Sequence, residues 1–200
     1  MSRFGEARFL LSVASPAQLP PDEGAEVAFA GRSNSGKSSA INAITRRRGL
    51  ARTSKAPGRT RLLNFFELAP ARRLVDLPGY GYASVTAAER AAWLPLLEAL
   101  RVRSSLKGLL LVVDSRRGLT QMDEGLMEWV PGGQGLHVLL SKADKLNRGE
   151  ASAALRSASA QLGNRGTVQL FSALHGTGVR EAQERIAAWL SVAPAGSSGQ

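Results

Sequence analysis

The first residues that could do chemistry lie at 31–38, where the sequence G-R-S-N-S-G-K-S fits the pattern G-x-x-x-x-G-K-[ST]. The glycines allow the backbone to curl, so that successive N–H groups point at phosphate oxygens. Lys37 is expected to reach the β- and γ-phosphates of a nucleotide, and Ser38 to offer its hydroxyl to Mg²⁺. The helix predicted after the loop would present its positive end to the same phosphates. The predicted phosphate loop consists of Gly31, Arg32, Ser33, Asn34, Ser35, Gly36, Lys37 and Ser38.

A second group of candidate residues is V-D-L-P-G at 75–79, where another predicted strand ends. The carboxylate of Asp76 can hold Mg²⁺ directly or through water, and the N–H of Gly79 can reach a γ-phosphate. The pattern D-x-x-G occurs in many turns, but its position after a phosphate loop makes it a specific signal. Leu77 and Pro78 complete this part of the predicted site.

The segment S-K-A-D at 141–144 indicates which base the site takes. The Asp144 carboxylate can accept two hydrogen bonds from guanine, at N1–H and the exocyclic amine. Adenine has no matching donors and would leave a buried charge unpaired. The stem of Lys142 can lie along the base plane, and the N–H of Ala173 could bind guanine O6. A helix N-cap is the alternative for S-K-A-D, but the order of the motifs favours guanine. The predicted base pocket consists of Ser141, Lys142, Ala143, Asp144, Phe171, Ser172 and Ala173.

The segment 46–61, rich in arginine, glycine and serine, predicts a long functional loop inside the domain. Thr60 is the best candidate for a second hydroxyl on Mg²⁺, and a threonine that orders only around a γ-phosphate would make the loop a switch. A strand-start residue is the alternative for Thr60. G-Y-G-Y at 79–82 would be its companion switch. The switch-loop residues expected to contact the nucleotide are Gly58, Arg59, Thr60, Arg61 and Leu62. Catalytic roles are expected for Lys37, Thr60 and Gly79. The expected Mg²⁺ ligands are Ser38, Thr60 and Asp76.

Strand-like and helix-like segments alternate along the chain and must position these residues. Strands are predicted at 26–30, 62–68, 73–76, 108–114, 136–141 and 167–172, and helices at 37–45, 93–100, 122–130, 150–162 and 179–190. Pro95 is expected to kink or restart its helix. The alternation predicts an α/β fold with a mostly parallel six-stranded sheet and helices on both faces. Together with the motifs above, it indicates the P-loop NTPase type, a Ras-like G domain.

Length and composition predict one domain at 25–191, preceded by an extension at 1–24 and followed by a disordered tail at 192–200. There is no cysteine, which excludes a disulfide framework and a thiolate metal site. No apolar run approaches the roughly 20 residues that span a bilayer. We therefore expect a cytoplasmic protein with no membrane partner.

The chain carries 26 Lys and Arg against 16 Asp and Glu, a net charge of +10, and 21 of the cations are arginines. This balance favours a polyanionic partner such as RNA; a solvated basic surface is the alternative. A basic cluster surrounds the predicted switch, consisting of Arg46, Arg47, Arg48, Arg52, Lys55, Arg59 and Arg61.

With these motifs in place, the chain resembles the EngB/YihA (YsxC) branch of the bacterial TrmE–Era–EngA–EngB GTPases. The resemblance rests on E-V-A-F-A-G-R-S-N-S-G-K-S-S-A-I-N at 26–42, P-G-R-T at 57–60, N-F-F at 64–66, V-D-L-P-G-Y-G-Y-A at 75–83 and S-K-A-D-K at 141–145. It implies a GTPase that acts in maturation of the large ribosomal subunit and is needed for normal cell division and septation. The expected partners are GTP, GDP and a large-subunit precursor or ribosomal RNA, and we expect a monomer.

The sequence departs from the family at four positions, none of which removes a phosphate or guanine contact. Ser141 replaces threonine, Arg61 replaces glutamine, and Arg117 and Gly118 differ from the usual residues.

The residues around the predicted γ-phosphate site lack a group that would make GTP hydrolysis fast. Tyr80 stands where Ras-like proteins carry the glutamine that orients the attacking water, so slow intrinsic hydrolysis is expected. Asn34 suggests potassium, because several GTPases of the wider group bind K⁺ through an asparagine at this loop position; loop stabilisation by the amide is the alternative. Two other function classes stay open: an RNA or ribosome docking module in which hydrolysis only times release, and an ATPase or nucleotide kinase indifferent to Asp144→Asn.

Overall fold

The computed structural model describes residues 4–51, 62–81 and 87–191. Its strands are β1 (Arg8–Val13), β2 (Ala25–Gly31), β3 (Leu63–Ala69), β4 (Arg72–Asp76), β5 (Leu106–Asp114), β6 (Gly135–Ser141) and β7 (Thr167–Leu170). Its α-helices are α1 (Lys37–Thr45), α2 (Ala87–Arg101), α3 (Gln121–Trp129), α4 (Arg148–Leu162) and α5 (Val179–Leu190). The predicted tail at 192–200 lies outside these residues.

The strands form one sheet in the order β1-β3-β4-β2-β5-β6-β7. Strands β4, β2, β5, β6 and β7 run parallel, and β3 pairs antiparallel with both β1 and β4. The predicted α/β fold with a mostly parallel sheet is therefore confirmed.

Two hydrophobic cores cover the two faces of the sheet because side chains alternate along the central strands. On β5, Leu109 and Leu111 lie in one core and Leu110 in the other. The first core is covered by α2, α3 and α4, with Leu100 and Met127 among its buried residues. The second is covered by α1 and α5 through the fully buried residues Ile41, Ile44, Ala182 and Ile186.

Glycine residues on two neighbouring strands make room for the largest side chain of α5. A Cβ at Gly108 would lie 2.7 Å from the Trp189 ring, and one at Gly135 would lie 2.2 Å from it. Strands β5 and β6 place these glycines opposite each other in register. The indole therefore lies directly on the backbone of the sheet.

The prediction of six strands is wrong by one, because β1 is a seventh strand at the sheet edge. Its residues do not alternate in burial, since Phe9 and Leu10 are 54% and 37% exposed and the register shifts between Phe9 and Leu11. A strand without period-2 patterning gives no signal in the sequence. The strand falls within the predicted extension at 1–24, whose boundary at residue 24 stays a prediction.

Helix α2 continues through Pro95 as one helix and does not restart there. In α3, Met122 is 55% exposed, while Asp123 beside it is buried. The reason is local: Asp123 closes the N-terminal capping box of α3 with Thr120 and so turns inward.

The parallel strands determine where chemistry can happen. Strands β2, β4, β5 and β6 end at Gly31, Asp76, Asp114 and Ser141. The carboxyl ends of parallel strands meet at one edge, where α/β proteins bind their ligands. At the opposite, amino ends of these strands, Glu26 is fully buried between Arg73 and Arg103, and its carboxylate lies 2.8 Å from each guanidinium.

Candidate functional site

The loop between β2 and α1 has the curled backbone that its glycines predict. Gly36 precedes α1 with a φ of 97°, a conformation that favours glycine. Asn34 has a φ of 64°, which asparagine adopts more readily than most residues. Helix α1 begins at Lys37, so its unpaired N–H groups and positive end face the loop. The loop therefore forms a concave backbone suited to phosphate.

Lys37 and Asp76 meet beside this loop. The Lys37 ammonium contacts the Asp76 carboxylate, and the two side chains are only 11% and 8% exposed. The buried hydroxyls of Ser33 and Ser35 have no hydrogen-bond partner among the described residues. A cation, a carboxylate and free hydroxyls thus converge where the sequence predicts the phosphates.

The donor set fits Mg²⁺. The ion prefers carboxylate and hydroxyl oxygens together with substrate phosphates over a cage of protein ligands. Asp76 supplies a carboxylate at the end of β4 and Ser38 a hydroxyl in the first turn of α1. No group of three or more His, Cys, Asp or Glu suitable for a metal occurs within residues 4–51, 62–81 and 87–191. The predicted switch residues Gly58, Arg59, Thr60 and Arg61 lie outside the described part of the chain.

The base motif is joined to the phosphate loop by two side chains. The Ser141 hydroxyl lies 2.5 Å from the Ser35 carbonyl oxygen, and the Lys142 ammonium donates to the Asn34 carbonyl at 2.6 Å. Both bonds span more than one hundred residues of sequence. The serine that replaces the family's threonine thus keeps a hydroxyl in contact with the loop.

A cleft of about 730 Å³ opens beside the loop, lined among others by Gly36, Asp144, Phe171 and Ala173. The Ser172 hydroxyl donates to Asp144 Oδ1 at 2.6 Å and Lys145 lies 3.6 Å from Oδ2. The Ser172 hydrogen bond holds the pKa of Asp144 below its ordinary value, although burial opposes it. An ionised acceptor facing a cleft of this size matches the two donors of guanine.

The segment after β4 packs tightly against the phosphate loop. A Cβ at Gly79 would lie 3.0 Å from Ser33 Oγ. The Tyr80 carbonyl accepts from the Ser33 N–H at 2.9 Å, and Leu77 donates to Phe29. Leu77 is buried, Pro78 is half-buried, and Leu62 is half-buried just before β3. The predicted D-x-x-G residues therefore border the loop.

Tyr80 does not point freely into the site. Its hydroxyl donates to the buried Asp123 at the start of α3. Burial, followed by the charge and hydrogen bond of Asp123, raises the pKa of Tyr80 above its ordinary value. The tyrosine is therefore an anchor between the loop and α3, and it keeps its phenolic proton near neutral pH.

Sequence reasoning missed two residues near the site, Asp114 and Arg116. Asp114 accepts hydrogen bonds from both Arg116 and Lys142. Arg46 and Arg48, which belong to the basic cluster noted in the sequence, line the same cleft as Asp144. Lys142 also lines a second cavity of about 340 Å³, together with Arg32, Asp114 and Arg117. The V-D at the end of β5 was the available signal, since a carboxylate at that edge faces its neighbours.

Comparisons with known proteins identify relatives of this chain. A family model described as 50S ribosome-binding GTPase matches residues 26–142. The probable GTP-binding protein EngB of Azoarcus sp. (strain BH72) is 50% identical over 206 aligned positions, covering 100% of this chain and 98% of that protein. The EngB of Thiobacillus denitrificans is 52% identical, covering 92% and 91%.

Two solved structures share the fold. A crystal structure of a probable GTP-binding protein EngB superposes with a TM-score of 0.64 at 21% identity, covering 83% of this chain and 98% of that one. Era in complex with MgGDPNP and nucleotides 1506–1542 of 16S ribosomal RNA gives 0.62 at 19% identity, covering 84% and 57%. Within the described ranges no helix is long and apolar enough to cross a membrane. The GTPase family model and the length and identity of the EngB matches lead to one conclusion: the chain belongs to the EngB family of GTP-binding GTPases.

Proposed function

We propose that this GTPase is a slow, nucleotide-dependent switch in the assembly of the large ribosomal subunit. One observation carries the proposal: Arg46 and Arg48, both exposed, line the same cleft as Asp144. A cationic surface next to the proposed nucleotide site can change its contacts with RNA when the bound nucleotide changes. The net charge of +10 and the family description, which names the 50S ribosome, support an RNA partner.

The nucleotide would be held by residues from all the converging strands. Lys37 would leave Asp76 for the β- and γ-phosphates, and the loop N–H groups would cradle the same oxygens. Mg²⁺, when bound by Ser38 and Asp76, neutralises phosphate charge that develops during hydrolysis. Two further contacts are proposed from the sequence. The Thr60 hydroxyl would bind Mg²⁺ as part of the switch, and the Gly79 N–H would reach the γ-phosphate.

Guanine would be selected by Asp144 with the N–H of Ala173. The hydrogen bond from Ser172 fixes the Asp144 carboxylate at the cleft wall, and an ionised carboxylate accepts two donors at once. Adenine lacks those donors, so its binding would leave the charge unpaired. This discrimination separates the proposal from an ATPase or nucleotide kinase.

The proposed slow hydrolysis is supported by the contact that Tyr80 makes. The residue at this position would have to orient water, but the Tyr80 hydroxyl is bonded to Asp123. A partner or an ion would then supply the missing group. Asn34, exposed on the loop with a φ of 64°, is the proposed K⁺ ligand, and K⁺ would add positive charge between the phosphates.

The remaining parts of the proposal come from the sequence and from the family resemblance. The protein would be a cytoplasmic monomer, and the resemblance implies that it is needed for normal cell division and septation. A second function is favoured by the anchored Tyr80: a docking module in which hydrolysis only times release from RNA. Thr60→Ala, which should spare GDP binding, is the discriminator: the measurement is whether it abolishes ribosomal association as well as hydrolysis.

The experiment is to bind the protein, loaded with a GTP analogue, to large-subunit precursors over a range of salt concentration. Replacing Arg46, Arg47 and Arg48 with alanine should weaken binding and reduce the slope of log affinity against log salt by about one for each lost phosphate contact. The control replaces three other exposed arginines on α4 and α5, Arg148, Arg156 and Arg180. A slope that changes equally in both variants, or in neither, would count against a contact at this surface.

A further inference from the structure

We infer that Asp114 is a positioning residue that fixes Lys142 against the phosphate loop, and that Arg116 fixes Asp114 in turn. The inference rests on the proposed role of Lys142 in nucleotide binding. It gives a function to Asp114 and Arg116, which have no proposed contact with the base or the phosphates.

Strand pairing brings the residues together. Asp114 ends β5 and pairs in register with Ser141, the last residue of β6. Lys142 follows at once, with a φ of 57° that turns its side chain away from the strand direction. Its ammonium lies 2.9 Å from Asp114 Oδ2 and 2.6 Å from the Asn34 carbonyl oxygen. The lysine thus bridges the end of β5 and the loop.

Arg116 orients the carboxylate from its other side. Its Nε donates to Oδ1 at 3.0 Å, its Nη2 to Oδ2 at 2.7 Å, and its backbone N–H to Oδ1 at 3.1 Å. The side-chain bond from Arg116, followed by those from Lys142 and the backbone, holds the pKa of Asp114 well below its ordinary value against the effect of burial. The carboxylate is charged and only 7% exposed, so its direction is fixed.

Such a support is needed because a lysine stem is flexible. Lys142 is 31% exposed, and an ammonium on a four-carbon stem loses orientation unless several of its donors are satisfied. Asp114 satisfies one donor, which leaves the ammonium aimed at the Asn34 carbonyl. The backbone of the loop is then preorganised before the phosphates arrive, which lowers the cost of binding them.

The test is a double-mutant cycle on the full chain with Mg²⁺. The dissociation rate of fluorescent GDP is measured for wild type, Asp114→Asn, Lys142→Ala and the double variant. Asp114→Asn keeps the size of the side chain and removes the charge, so GDP release should speed up about tenfold or more. In the Lys142→Ala background the same substitution should change the rate less than about twofold, because coupled residues are not additive.

Asp22→Asn is the matched control. Asp22 also accepts hydrogen bonds from backbone N–H groups, those of Ser104 and Ser105, but at the opposite edge of the sheet. It should leave GDP release unchanged. If Asp114→Asn does not fold, Arg116→Gln replaces it in the same cycle, with a smaller acceleration that again vanishes in the Lys142→Ala background.

The outcomes separate two failures. An equal acceleration by Asp114→Asn with and without Lys142, or no acceleration with Lys142 intact, overturns the inference alone. An unchanged rate for Lys142→Ala by itself overturns the proposed role of Lys142 and, with it, the inference.

Discussion

Replacing Asp144 with asparagine removes the charge that we propose selects guanine. The side chain is 7% exposed and would accept two hydrogen bonds from the base. A hydrogen bond to a charged group contributes about 1.5–3 kcal/mol, so losing both costs about 3–6 kcal/mol, or about 10²- to 10⁴-fold in affinity. The Ser172 hydroxyl that donates to Asp144 Oδ1 can donate equally to an amide oxygen. The substitution should therefore weaken binding without unfolding the cleft.

The assay is equilibrium titration with fluorescent GDP, followed by competition with GTP, ATP and xanthosine diphosphate. Xanthine has a hydrogen-bond acceptor where guanine has its amine. The asparagine NH₂ of the variant can donate to this acceptor, so the variant should bind xanthosine diphosphate better than wild type does. Asp22→Asn, at the other edge of the sheet, controls for the loss of one negative charge. A loss of GDP affinity below about tenfold, or ATP competing as well as GTP with wild type, would refute guanine selection by Asp144.

Three other perturbations test separate parts of the structure. GTP hydrolysis by wild type should be faster in K⁺ than in Na⁺, and Asn34→Ala should abolish the difference; equal rates in both salts would refute the ion. Burial lowers the pKa of His137, so neutral His137 makes its full contribution to the free energy of unfolding above its pKa in the unfolded chain, about 6.5. This contribution is lost as the pH falls towards the pKa in the folded protein, by up to about 1.4 kcal/mol per pH unit. His137→Gln should flatten the pH dependence of the unfolding free energy below about pH 6.5. Gly135→Ala should destabilise by about 1–3 kcal/mol because its Cβ meets Trp189, while Gly132→Ala, with nothing within 4 Å, should have little effect in urea unfolding.

The sequence predicted most elements of the fold because their patterns are local. Helix α1 and helix α5 have the predicted bounds, since a glycine precedes each one and apolar residues recur at helical spacing. Strand β1 escaped prediction because an edge strand with Phe9 exposed needs no alternation. Pro95 predicted a kink or a restart, and the structure has one helix through this residue, with Leu96, Leu97 and Leu100 buried.

The site was predictable in its residue types but not in its cross-connections. Motifs at strand ends fix which groups meet, because parallel strands share one carboxyl edge. The bond between Tyr80 and Asp123, or that between Asp114 and Lys142, depends on the lateral order of strands and on rotamers. Neither is encoded in a spacing along the chain. Residues 58–61 lie outside the described structure, so the role of Thr60 stays a prediction.

The most direct test of the switch is co-sedimentation of the wild-type protein with large-subunit precursors, with GDP, with a non-hydrolysable GTP analogue and without nucleotide. The account predicts strong association in the GTP-analogue state and at least about tenfold weaker association with GDP, a difference of about 1.4 kcal/mol in coupling between nucleotide and RNA. Equal association in all three states would contradict it.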